Sequence, residues 1–233
     1  MSTTGSPARA VAEAVGLTLA ALLVSLLVGV VFLVPLFVLG YDVQSTGVLL
    51  ASTAAGQLGF LAVGYGYVRR RGVPVRLAAP SRRDALVAAG GVVAAVALAV
   101  ALSALLSALD LVPGSVVGDV GARDPVFFLG LAALSVVLVA PAEELLFRGA
   151  VQGRLRQHVG PVPAVLGSSL LFGSMHLANY TGALAPIVAG ALLIAAIGAV
   201  LGALYEYTGN LAVPIATHAT YNAVLLVVAY VTA

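Results

Sequence analysis

The chain is 233 residues long, 61% of them hydrophobic and only 9% charged, with a formal net charge of +2. Its mean hydropathy of +1.12 excludes an ordinary soluble domain, because about 25% of residues are charged in such domains. Disordered, collagen-like and nucleic-acid-binding chains are excluded too, since each is polar or visibly patterned. What remains is an all-α polytopic membrane bundle, with room for about seven or eight spans of roughly 20 residues. The sequence has no Cys, which rules out disulfides, thiolate metal sites and a Cys nucleophile. It has no Trp either, so any aromatic belt is built from Tyr.

Apolar runs separated by punctuation predict seven spans. The first runs from about Val15 to Leu39, too long for a signal-peptide core, and is read as a retained helix. The second covers about Gly47 to Val68 and stops at Arg69-Arg70-Arg71, and the third about Ala85 to Leu109. A polar connector with Pro113, Gly114, Asp119, Arg123 and Asp124 follows. The fourth span starts near Pro125 and continues through Glu143-Glu144 to about His158, its last turns emerging at the interface. The fifth begins after Gly160-Pro161-Val162-Pro163 and ends near Asn179. The sixth covers about Ala183 to Tyr205 and the seventh about Leu211 to Tyr230.

Arginine placement orients the bundle. With a cytoplasmic N-terminus, that side holds Arg9, Arg69, Arg70, Arg71, Arg76, Arg82, Arg83, Arg148, Arg154 and Arg156. The other side holds only Arg123, beside Asp110, Asp119 and Asp124. The positive-inside rule then predicts a multi-pass protein of the cell membrane, with the C-terminus opposite the cytoplasm. The Arg69–Arg83 cluster reads as this topology signal rather than as a docking patch for anionic lipid or substrate. Tyr41, Tyr67, Tyr205, Tyr207 and Tyr230 fall near span ends, where an amphipathic ring prefers the headgroup level. Gly149 with Gly153, and Gly198 with Gly202, read as helix-packing pairs.

The informative residues are the polar ones at membrane depth: Glu143, Glu144, Arg148, His176, His218 and Asn222. An ionisable group near the bilayer centre costs about 2.5–3.5 kcal/mol even on the lenient insertion scale, so these groups must face one another or a wet cavity. Glu143 lies about 16 residues before the 158–161 turn and His176 about 16 after it, which places both roughly 24 Å from that turn. His218 lies about ten residues past Thr208-Gly209-Asn210, roughly 15 Å from the same face. The three can therefore meet in a polar site buried in the cytoplasmic half. Glu144 and Arg148 share a helix face and can pair, whereas Glu143 points about 100° away. His218 and Asn222 also share a face, and Phe172 sits one turn before His176, where it can wall the ring in.

Two imidazoles, one or two carboxylates and an amide in a restricted cavity suit the activation of water. A Glu is the natural general base, and an imidazole and an amide N–H aimed at a carbonyl oxygen would stabilise an oxyanion. The same residues are compatible with a divalent metal such as zinc, held by His176, His218 and Glu143 or Glu144. Both routes lead to hydrolysis of an acyl bond, most plausibly a peptide. Other intramembrane designs are absent: there is no His-Glu-x-x-His, no Gly-x-Ser-x-Gly, and no pair of Asp at membrane depth.

Three motifs occur in order. They are Glu143-Glu144-Leu145-Leu146-Phe147-Arg148, Phe172-Gly173-Ser174-Met175-His176 and His218-Ala219-Thr220-Tyr221-Asn222. They match Glu-Glu-x-x-x-Arg, Phe-x-x-x-His and His-x-x-x-Asn, and so resemble the CPBP intramembrane endopeptidases. That family includes the type II CAAX prenyl endopeptidases and bacteriocin-processing or self-immunity proteins. The resemblance covers about Val126 to Val228, whereas the first three spans match in hydrophobicity only. It implies a catalytic region over 126–233 behind an N-terminal three-span region over 1–125, within one integrated membrane domain. It also implies that Glu143 or Glu144 activates water and that His176 helps to hold that water or ligates a metal. His218 and Asn222 would polarise the scissile carbonyl, and Arg148 would orient the Glu pair. The partners expected are the lipid bilayer and a membrane-associated peptide or protein, with no nucleic acid. Two other readings of the polar set stay open: a proton-coupled transporter, and a non-catalytic immunity or scaffold protein with the same fold.

Overall fold

The computed structural model describes residues 6–233. In chain order the elements are α1 (Pro7–Val38), α2 (Thr46–Arg71), α3 (Arg82–Ala108), β1 (Gly114–Ser115) and α4 (Val116–Arg123). They continue as α5 (Val126–Val159), α6 (Pro161–Met175), β2 (Tyr180–Thr181), α7 (Leu184–Thr208) and α8 (Ala212–Thr232). Seven of these helices are long and apolar enough to cross a membrane, and they form an all-α polytopic bundle. The seven run alternately up and down, so the ends near residues 7, 71, 82, 159, 161, 208 and 212 lie together at an arginine-rich end.

Most helices extend past their apolar runs, because local capping carries them into polar sequence. Ser6 accepts from the Arg9 amide and starts α1 eight residues before Val15. At α3, Ser81 and Asp84 form a capping box. Pro161 sits at the first turn of α6, where its missing N–H costs nothing. At the other end of α2, three arginines in the last turn complement the helix dipole, and Gly72 closes it in the left-handed region at φ 61°. The 110–124 connector is not all loop. Ser115 caps the eight-residue α4 by accepting from Gly118. β1 pairs antiparallel with β2, Gly114 opposite Thr181 and Ser115 opposite Tyr180.

Large apolar side chains such as Val31, Leu26 and Leu86 face outward, as lipid contact requires. Inside, Leu146, Phe147 and Val151 of α5 pack with Ala14, Leu17 and Ala21 of α1. Small residues set the closest approaches. A Cβ on Gly173 would stand 2.4 Å from the Ala191 carbonyl oxygen, which fixes how closely α6 and α7 lie. Gly198 and Gly202 of α7 likewise leave room, for Phe172 and Arg148 in one case and Gln152 in the other.

Polar residues fasten the arginine-rich end. Glu13 accepts from Arg154 at 2.7 Å, from Tyr67 at 3.1 Å and from Arg9 at 3.1 Å, which ties α1, α2 and α5 together. Asn210, fully buried, exchanges two hydrogen bonds with the Ala78 backbone, and the Leu211 amide donates to the Arg76 carbonyl. The segment after α2 is thereby held across the α7–α8 turn. Replacement Gly173→Ala should separate α6 from α7 and lower stability by about 1–3 kcal/mol, the usual cost of overpacking. A lowered thermal midpoint in detergent, larger than for Gly66→Ala at an open position, checks this.

Candidate functional site

The site is built around an irregularity in α5. Residues Ala140–Glu144 are α-helical, but they lie between two π-helical stretches, Ser135–Val139 and Leu145–Gln152. Pro141 has no N–H to donate, and its ring crowds the carbonyl one turn back. Wider turns relieve that conflict and also re-aim the side chains beside it, a recurrent use of π turns at functional sites. Glu143 and Glu144 then project in different directions.

Glu144 is completely buried. Its Oε1 accepts from Arg148 Nη1 at 3.2 Å and from His218 Nδ1 at 2.9 Å. An ionised carboxylate only accepts, so the imidazole hydrogen sits on Nδ1 and Nε2 is left free. Arg148 donates through Nη2 to the Gly198 carbonyl at 2.7 Å, and its guanidinium lies 4.7 Å over the Phe172 ring. Of the two sequence-based readings of Arg148, a cytoplasmic-side arginine and a membrane-depth partner of Glu144, the pairing is the one observed. Arg148 is 0% exposed. A carboxylate one turn earlier and a glycine carbonyl across the interface partly compensate that buried charge. The arginine bias therefore counts Arg9, Arg69, Arg70, Arg71, Arg76, Arg82, Arg83, Arg154 and Arg156 at one end against Arg123 at the other.

Glu143 has other partners. Its Oε1 accepts from Gln57 Nε2 at 2.9 Å, and its Oε2 stands 3.9 Å from His218 Nε2. That gap is too long for a hydrogen bond and short enough for one water to touch both groups. Glu143 and His218 line a cavity of about 480 Å³, together with His176, Asn222, Phe172, Gln57 and Ser135. His176 Nδ1 donates to the Phe172 carbonyl at 2.9 Å, which turns the other ring nitrogen away from its own helix. Phe172 stands edge-on to both imidazoles, at 4.8 Å from His176 and 5.8 Å from His218. Asn222 donates to the Ser135 hydroxyl at 2.9 Å, which keeps one amide hydrogen free.

All the residues singled out from the sequence thus stand in or directly behind one cavity. Two contributors were missed. Gln57 comes from α2, and Ser135 marks the start of the first π-helical stretch. Neither carries a charge, so neither stands out in an apolar sequence. His176, His218 and one Glu are the residues compatible with a metal. Among the described residues, no group of three His, Asp or Glu is placed to hold an ion. His218 Nδ1 is held by Glu144, which leaves Nε2 as the nitrogen turned toward Glu143.

The seven-span bundle thus encloses a carboxylate–imidazole pair in one cavity. Residues 125–224 match the family described as Type II CAAX prenyl endopeptidase Rce1-like. The three motifs fall inside that stretch, and the resemblance they carry is borne out. Gln57 lies outside it. The Bacillus subtilis (strain 168) protein called "Uncharacterized protein YpbD" is 38% identical over 88 residues, which are 38% of this chain and 40% of that one. The chain thus matches about two fifths of that relative's length. No solved structure matches.

Breaking the buried pair from one side should be costly. Arg148→Met should destabilise the protein by about 3–5 kcal/mol, since it strands the Glu144 carboxylate. Glu144→Gln combined with Arg148→Met should cost less than the two singles summed, because no charge is then left unpaired. Unfolding midpoints for the four proteins of that cycle test the coupling, and strict additivity would refute it.

Proposed function

We propose that the protein is an intramembrane endopeptidase whose general base is Glu143. The observation that carries this reading is the Glu143 carboxylate, held at one oxygen by Gln57 and facing His218 Nε2 with the other across 3.9 Å. A water in that gap can donate one O–H to Glu143 and the other to His218, leaving a lone pair directed at the cavity. Glu144 acts through His218. Its hydrogen bond fixes the tautomer that presents Nε2 as an acceptor, as the acid of a Ser-His-Asp triad does. Arg148 pairs with Glu144 and holds its carboxylate in place.

In the hydrolytic step the water oxygen bonds to the scissile carbonyl carbon and its proton passes to Glu143. The tetrahedral intermediate then collapses, the C–N bond breaks, and Glu143 returns the proton to the leaving nitrogen. One water is consumed, and the products are a carboxylic acid and an amine. Asn222, with one amide hydrogen committed to Ser135, aims the second at the developing oxyanion. His176 closes the opposite wall, its uncommitted nitrogen available to the substrate amide. The catalytic region corresponds to 126–233, and the three-span region 1–125 contributes the Gln57 contact. The nine clustered arginines support a cytoplasmic location for their end of the bundle, and with it for the N-terminus. The cell membrane is then the site of action and a membrane-associated peptide or protein the substrate.

Comparing the membrane peptide profiles of cells carrying wild-type protein and Glu143→Gln tests the assignment and names a substrate. Products present with wild type should disappear with Glu143→Gln, for an expected loss of about 10²–10⁴-fold. Indistinguishable profiles would refute it. Gln57→Leu removes a hydrogen bond to a charged group, worth about 1.5–3 kcal/mol, and should lower kcat by roughly 10–100-fold. KM should be little changed, because Gln57 acts on the base and not on bound substrate.

A further inference from the structure

The cavity has a direction. Its floor is formed by Glu143, Leu201 and His218. Between that floor and the arginine-rich end lie Arg148, Gln152, Leu155 and Thr217, each at most 3% exposed, which separate it from a second cavity at that end lined by Gly153, Arg156 and Tyr205. On the other side of the floor the walls continue along α5 to Phe127 and across to Ser115 and Tyr180. Those two residues face each other in the β1–β2 pair, at the end of the bundle away from the arginines, and Asn179 beside them is exposed. The rim is anchored from two sides. Arg123 at the end of α4 donates to Gln44 at 2.9 Å, and Thr46 at the start of α2 donates to Asp124.

We propose that the segment to be cut enters from the arginine-poor face and threads past the β1–β2 rim down to Glu143. By the arginine bias this is the face away from the cytoplasm. The substrate is then a peptide segment presented on that side, and not a cytoplasmic chain end. The walls also state its chemistry. Apart from two tyrosines, the only ionisable groups lining the cavity are Glu143, His176 and His218. Leu131, Ile194 and Ile197 make the passage apolar, so the segment carries no charge where it lies inside. Its length follows from geometry: Phe127 and Glu143 are 16 residues apart on one helix, so about 24 Å separates rim and floor. An extended chain needs roughly seven residues to cover that distance. The scissile bond is thus expected about seven uncharged residues inside the point where the substrate leaves the membrane. The proteolytic step rests on the function proposed above, whereas the entry route does not.

The native chain has no Cys, so single cysteines report access without background. Ser115→Cys and Val117→Cys mark the rim, Leu131→Cys the passage, and Gln157→Cys the arginine-rich end. Each is exposed in intact cells, and again after permeabilisation, to a small membrane-impermeant thiol reagent. The expected result is labelling of the rim and passage cysteines in intact cells, with Gln157→Cys labelled only after permeabilisation. A passage cysteine labelled only after permeabilisation would overturn the proposal. So would labelled rim cysteines above an unlabelled Leu131→Cys, which would mean lateral entry from lipid. Repeating the experiment in Glu143→Gln separates the two claims. Unchanged labelling with cleavage intact sinks the catalytic reading alone, and wrong-sided labelling with cleavage lost sinks the route alone.

Discussion

The structure depends on a single carboxylate that has no access to water. Glu144 sits at the middle of a long apolar helix, fully enclosed, and satisfies one oxygen with Arg148 and His218. In a bilayer neither charge can be rescued by solvent, so the two must be buried together or not at all. That constraint explains several features that otherwise look unrelated. Gly198 lacks a side chain because the Arg148 guanidinium needs its carbonyl. Phe172 lies flat under the same guanidinium and edge-on to both imidazoles. His218 is brought into α5 contact with its tautomer already set.

With Glu144 enclosed, the neighbouring Glu143 is the carboxylate that faces the cavity. Consecutive helix positions face about 100° apart, and this divides the pair into one enclosed residue and one at the cavity wall. The division parallels other sites in which two acidic groups of the same type take different roles from their surroundings alone. The contact from Gln57 matters because it comes from the three-span region outside the family match. Those first helices do more than anchor the chain: one of them holds the Glu143 carboxylate.

Much of this was legible in the sequence because of its low charge. In a chain with 9% charged residues, each ionisable group at membrane depth needs a reason, and Glu143, Glu144, Arg148, His176 and His218 were visible against that background. Helix spacing also anticipated the Glu144–Arg148 pair, which survives the π turns beginning at Leu145. What escaped notice was uncharged or aperiodic. Gln57 and Ser135 look like ordinary helix residues until tertiary packing sets them beside Glu143 and Asn222. The π-helical stretches break the 3.6-residue period on which the reading relied, and Pro141 was their only local signal. The short α4 was hidden in a connector too polar to look like structure.

The central claim is that water, activated by Glu143, attacks the peptide carbonyl directly. A single turnover of purified, bilayer-reconstituted protein in ¹⁸O-labelled water, read by mass spectrometry, addresses it. The account predicts one heavy oxygen in the new C-terminal carboxyl of the product and none in the Glu143 carboxylate. Heavy oxygen in Glu143, or a cleaved product without it, would contradict the account.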